Sequence, residues 1–131
     1  MIEHPNVTLV RNLFDAFQKS DAVRVFALID ENAIWHFPGN RGQLAGDHKG
    51  REAIFAFLAK IPVLADGTFS AELTDVLANH KNAVAIFRGK GQRNGIELNS
   101  PTCLYMRIEN ERITEFREFV WDLYKVDEFW A

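Results

Sequence analysis

Apolar residues fall at Val10, Leu13, Phe14 and Phe17, the i, i+3, i+4, i+7 spacing that lays one hydrophobic stripe along a helix. The pattern predicts an amphipathic helix starting near Asn6. Ser20-Asp21 breaks it and offers an N-cap for a second helix, Ala22 to about Ile29. Asp30-Glu31-Asn32 then turns the chain into a short strand, Ala33 to Phe37, which Pro38-Gly39 ends. A glycine-containing loop runs to Gly50. Beyond it, Ile54, Phe57, Leu58 and Ile61 share one face of a third helix, stopped by Pro62.

The second half changes period. Thr68 to Leu77 and Ala83 to about Gln92 read as strands, and Asn94-Gly95 is a strong hairpin signal before a strand from Ile96 to Ile108. A polar turn, Glu109-Asn110-Glu111-Arg112, leads into a closing strand, Ile113 to Trp121. Leu123 to Trp130 is an apolar tail or short helix. Helices come first and antiparallel strands afterwards, which predicts an α+β fold. No repeat or linker interrupts residues 1–131, so a single domain is expected.

The closing strand carries the most informative side chain. Strict alternation puts Thr114, Phe116, Glu118, Val120 and Asp122 on one face, with Ile113, Glu115, Arg117, Phe119 and Trp121 on the other. Glu118 therefore lies between Phe116 and Val120 on a face fit for an interior. A carboxyl there must find a partner, hold a proton or line a wet cavity. That environment is how a general acid/base is made.

Composition narrows the partners. Eleven phenylalanines suffice to fill a core and still line an apolar pocket. With a net charge of -3 and scattered Lys and Arg, no basic field invites nucleic acid. The single cysteine, Cys103, excludes an internal disulfide and fits a reducing compartment. The opening Met1-Ile2-Glu3-His4-Pro5 has no positively charged start before an apolar run, and no stretch is long enough for a membrane span. A soluble, cytoplasmic protein without membrane partners is expected. His4, His48 and His80 show no metal-ligand spacing, so no metal site is expected.

Three segments together resemble a known family: Asp30-Glu31-Asn32-Ala33-Ile34-Trp35-His36-Phe37-Pro38-Gly39, Gly46-Asp47-His48-Lys49-Gly50-Arg51-Glu52-Ala53, and Arg112-Ile113 leading into Arg117-Glu118-Phe119. Their order and spacing resemble the SnoaL-like branch of the nuclear-transport-factor-2-like superfamily, over nearly the whole chain. The resemblance implies a cone: a strongly curved, mainly antiparallel sheet wrapped around three N-terminal helices, with a pocket inside. It also implies a homodimer, here through the exposed sheet face bearing Glu115, Arg117 and Phe119. Function does not follow from this fold, which serves cyclases, isomerases, hydrolases and non-enzymatic binders.

Where family enzymes place an acid on the last strand, this chain has Glu118; limonene-epoxide hydrolases and SnoaL-type cyclases, which it resembles there, use aspartate. The bland alternative is an internal ion pair that fixes register. His36, on the first strand, is expected to face the same pocket within hydrogen-bonding reach of Glu118, with Ile34 and Pro38 beside it and Trp35 and Phe37 turned away. A one-residue register shift, such as a bulge, would reverse this and put Trp35 in the cavity. Arg88, Asn99, Trp35, Phe14, Phe116 and Tyr105 are the expected substrate-binding residues, although residues such as Trp35 and Tyr105 are more often packing and ones such as Arg88 more often solvated. Ketosteroid-isomerase chemistry needs a tyrosine and a second acid, whereas helix one offers Phe14 and Phe17 and the strand Ala33 to Phe37 carries no carboxylate. The Arg-x-Asp element of limonene-epoxide hydrolases is also incomplete, since Phe87-Arg88-Gly89-Lys90 lacks the aspartate.

The expected function is cofactor-independent general acid/base chemistry on a small hydrophobic molecule. It would be aldol-type cyclisation or isomerisation, with Glu118 moving a proton next to a carbonyl and His36 polarising the oxygen. The rivals are a non-catalytic binder of a hydrophobic or aromatic ligand, and a scaffold. An open cavity holding a Glu–His pair favours the enzyme, an open cavity without an acid–base pair the binder, and a filled core the scaffold.

Overall fold

The computed structural model describes residues 3–131; Met1 and Ile2, part of the opening on which the expectation about a leader rests, lie outside them. Helix α1 (Pro5–Gln18) starts with proline at its first position, where a missing N–H costs nothing, and the His4 ring accepts from the Asn6 N–H at 3.1 Å. Its stripe of Val7, Val10, Leu13 and Ala16 is buried. Asp21 caps α2 (Ala22–Leu28) by accepting from the Arg24 N–H at 3.2 Å.

Strand β1 (Ile29–Phe37) follows α2 directly, so Asp30-Glu31-Asn32 is not a turn but a bulged start of the strand. The loop predicted up to Gly50 contains a short edge strand, β2 (Gly46–Lys49), paired antiparallel to the end of β1. Helix α3 (Arg51–Leu64) runs past Pro62 instead of stopping there. The proline sits in the last turn, where it removes one hydrogen bond, while Ala65 N–H still bonds Ile61 O and Gly67 N–H bonds Pro62 O.

Four strands then form a meander: β3 (Ser70–Ala78), β4 (Asn82–Arg93), β5 (Ile96–Glu109) and β6 (Arg112–Val120). Asn94 and Gly95 both take positive φ, +52° and +77°, as a two-residue primed hairpin requires. The tail is helical, α4 (Leu123–Trp130), capped by Asp122 accepting from the Lys125 N–H. The sheet order is β2-β1-β6-β5-β4-β3, with β1 and β6 parallel and every other pair antiparallel. It is a six-stranded mixed sheet that does not close.

One face of that sheet packs on the helices. Trp35, Phe37, Phe87, Leu104, Met106 and Phe116 are buried from the strands, meeting Val10, Leu13, Ile54, Phe57 and Ile61 from the helices. Val126, Phe129 and Trp130 of α4 join the same core. Asp127 ties α4 to the loop after β1 by accepting from the Asn40 and Arg41 N–H groups at 3.1 and 2.9 Å. At Gly39, with φ +95°, a Cβ would collide with that carboxylate. No helix among the described residues is long and apolar enough to cross a membrane.

Candidate functional site

The alternation of β6 holds from Phe116 onward. Phe116 is fully buried, and Glu118 and Val120 point to the same inner side, across from Leu104 and Thr102 of β5. Before it, the register slips between the pairs Arg107–Glu115 and Ile108–Ile113. The extra residue, Thr114, is squeezed outward and Ile113 is brought in, the reverse of strict alternation.

Glu118 lines a cavity of about 80 Å³ between the sheet and the helices. Leu13, Phe14 and Phe17 of α1, Leu58 and Ile61 of α3, and Trp130 of α4 form its apolar walls. Glu118 is the only ionisable side chain among the described residues that line it. Burial pushes its carboxyl up from 4.5 to about 7, because desolvation penalises the charged form; the nearby Trp35 indole N–H pulls the other way. Phe14, Phe17, Leu58, Ile61 and Phe69 also line a wider cleft of about 480 Å³ between α1, α3 and the start of β3. The cleft thus adjoins the small cavity and shares its walls, as a vestibule would.

The register of β1 reverses the expected orientation at His36. Ala33, Trp35 and Phe37 are buried and Trp35 and Phe37 line the cavity, whereas His36 faces the opposite side of the sheet. Its ring lies between two carboxylates, Nδ1 2.7 Å from Asp47 Oδ1 and Nε2 2.9 Å from Glu115 Oε2. Carboxylates only accept, so both contacts are hydrogen bonds when both ring nitrogens carry protons. Glu115 also accepts from Arg117 at 3.1 Å. Hydrogen bonding to His36 is the first cause that holds both Asp47 and Glu115 below their usual carboxylate values. His36 and Glu118 do not meet. The two largest side chains of the segment, Trp35 and Phe37, take the dry side, as their size dictates.

Three other expected contacts lie outside. Arg88 donates to Asn99 Oδ1 at 2.9 Å, and both are exposed on the outer face. Tyr105 donates to Asn82 Oδ1 at 2.6 Å on that same face. Leu98, Leu104, Met106 and Ile108 occupy the inner face of β5, so Asn99 and Tyr105 had to point outward. Phe14 does line the cavity, and Phe116 backs it, stacked on the Trp35 ring at 4.2 Å and 15°.

The inner polar groups that sequence reasoning missed are Ser100 and Thr102, both buried and both on the cavity wall. Thr102 Oγ1 donates to Ser100 O at 3.2 Å, and the two hydroxyls lie 3.4 Å apart. Their signal was available: they share the parity of Leu98 and Leu104. The arrangement can hold an apolar body and present to it a carboxyl, an indole N–H and two hydroxyls.

Known proteins show the same scaffold. A structure of Bal32a, from a soil-derived mobile gene cassette, is 41% identical and superposes with a TM-score of 0.91, covering 96% of each chain. An uncharacterised protein of Mycobacterium tuberculosis is 30% identical over 132 residues and covers the full length of both chains. TerC, crystallised with polyporic acid, shares the fold at 17% identity, with a TM-score of 0.82 over 96% of this chain and 98% of its own. The pattern of the SnoaL-like domain matches residues 10–116, which takes in most of α1, all of α2 and α3, and the strands up to Phe116, but neither Glu118 nor α4. That match spans most of the chain, and this chain belongs to the SnoaL-like domain family.

Proposed function

We propose that the inner cavity and its vestibule bind a neutral, hydrophobic small molecule, with Glu118 meeting its polar end. The observation that carries this is the wall itself: aromatic and aliphatic side chains from α1, α3, α4 and the sheet, around one carboxyl that burial keeps largely protonated below neutral pH. An anionic ligand would meet no Lys, Arg or His among the described lining residues. With His36 on the other face, the expected acid–base pair is gone, and binding comes before catalysis as the reading the geometry supports. The structure of TerC with polyporic acid, a protein of the same fold, is consistent with a small-molecule site.

The test is calorimetric titration of the protein with the bicyclic ketone α-tetralone. Saturable binding is expected, abolished by Val120→Trp, which fills the inner cavity. Binding that survives Val120→Trp in a folded variant would place the ligand elsewhere.

One observation favours a second reading, proton transfer of the kind used in cyclisation or isomerisation. A carboxyl near 7 is poised both to take and to return a proton at neutral pH. Exchange of the α-protons of α-tetralone in heavy water, followed by proton NMR, tests it. Glu118→Gln is expected to slow enzyme-dependent exchange by about 100-fold or more. Exchange no faster than in buffer would leave binding alone.

A further inference from the structure

Trp35 poses a problem that the binding reading does not absorb. The residue is only 7% exposed, and its Nε1–H finds no hydrogen-bond partner among the described residues. Tryptophan can only donate, and a buried indole N–H normally finds an acceptor, because leaving it bare forfeits the water it gave up. The ring cannot easily turn away to find one. It is stacked on Phe116 with centroids 4.2 Å apart and braced by Phe57 at 5.2 Å. Both Trp35 and Glu118 line the inner cavity, and the N–H is close enough to stabilise the carboxylate form of Glu118 without completing a hydrogen bond to it. A rigid donor and a carboxyl thus converge on one small space.

We propose that Trp35 is a ligand-binding residue whose indole N–H donates to a carbonyl or enol oxygen held beside Glu118, so that the site selects neutral oxygen-bearing hydrophobic molecules over hydrocarbons and amines of the same shape. The inference rests on the binding reading above and names the ligand's chemical class. A hydrocarbon would leave the N–H as bare as it is now. An ammonium would suit the Glu118 carboxylate but would bring a cation against the positive end of the N–H dipole. An oxygen with two lone pairs can accept from Trp35 and, when Glu118 is protonated, from its O–H as well. The oxygen-polarising role expected of His36 passes by this geometry to Trp35, whose neighbour in β1 is His36 itself. The vestibule accommodates the rest of a ligand too long for the inner end.

Three probes of one shape test this: α-tetralone, tetralin and α-aminotetralin, titrated by calorimetry at neutral pH. The ketone is expected to bind roughly tenfold more tightly than tetralin, as one recovered buried hydrogen bond predicts, and more tightly than the amine. Trp35→Phe keeps a ring on Phe116 and is expected to erase the preference for the ketone, read as the ratio of ketone to tetralin affinity falling from roughly ten to about one. Should that variant fail to fold, the wild-type protein carries the test: its Trp35 indole ¹⁵N–¹H resonance should move downfield with α-tetralone and not with tetralin. Equal affinity for ketone and hydrocarbon, tighter binding of the amine, or an unmoved indole resonance in the ketone complex would overturn the assignment and leave the binding reading standing. No binding by any of the three would overturn the binding reading, and this inference with it.

Discussion

At the scale of single residues, Glu118 links site and stability. Its folded value of about 7 stands above its ordinary 4.5, so the folded state holds the proton more tightly than the unfolded chain. A proton held more tightly in the native state makes stability fall as pH rises. The contribution is intact below the ordinary value, erodes through the interval, and is lost above about 7. Glu118→Gln is therefore expected to match the wild type near pH 4 and to exceed it by up to roughly 3 kcal/mol near pH 8. Thermal melts across that range check it; a variant less stable at the alkaline end would mean that the carboxylate has a partner. Glu118 was legible because Phe116 and Val120 flank it at the same parity. His36 was misplaced because the family resemblance outweighed the plainer signal, two aromatic rings at 35 and 37 that needed the dry side.

Among elements, the outer-face triad of Asp47, His36 and Glu115 stitches three strands across one row, β2 to β1 to β6. Both carboxyls sit below their ordinary values of 3.8 and 4.5, so what they add to stability is present above those values and lost as pH falls through the lowered ones. The ring is partly exposed, and solvent screens such pairs, so the contribution is small. His36→Ala is expected to lower the melting temperature by a few degrees and to leave α-tetralone affinity within about twofold. A large loss of affinity would show that the outer row shapes the cavity. The elements themselves were mostly readable from period alone. What escaped were the irregularities: the bulged start of β1, the slip at Thr114, the edge strand β2 and the helix running on past Pro62. Each depends on a partner strand or on capping bonds that are distant or local exceptions to the repeat, and alternation carries no trace of them.

Taken as a whole, the molecule has a dry face and an outer sheet face with large apolar groups in the open. Phe119 is 59% exposed and Trp121 85%, and Cys103, directly across from Phe119 on β5, is exposed as well. Such a patch, mixed with Arg117 and Glu115, is expected to pair isologously with a second copy. Sedimentation equilibrium should give a dimer at micromolar concentration, and Phe119→Lys should shift it to monomer. A wild-type monomer under those conditions would count directly against the pairing. The pattern that made this patch visible in the sequence was the same alternation that placed Glu118, read from its other side.

The parallel pairing of β1 with β6 also sets a clock. Strands β3 to β6 follow one another and are joined by short turns, whereas His36 and Glu115 lie 79 positions apart and meet only when β1 docks on the finished meander. Contacts so distant along the chain close late, since their loop entropy is recovered last. Trp35 rides on β1 and Glu118 on β6, so the two groups proposed to meet a ligand come together in that docking step. Refolding should then show early formation of the meander and a slower phase in which the emission of Trp35, followed with Trp121 and the other buried indole, Trp130, replaced by Phe, shifts to the blue. A ligand of the cavity would slow unfolding and leave the refolding rate unchanged, because its binding site does not exist until the barrier has been crossed.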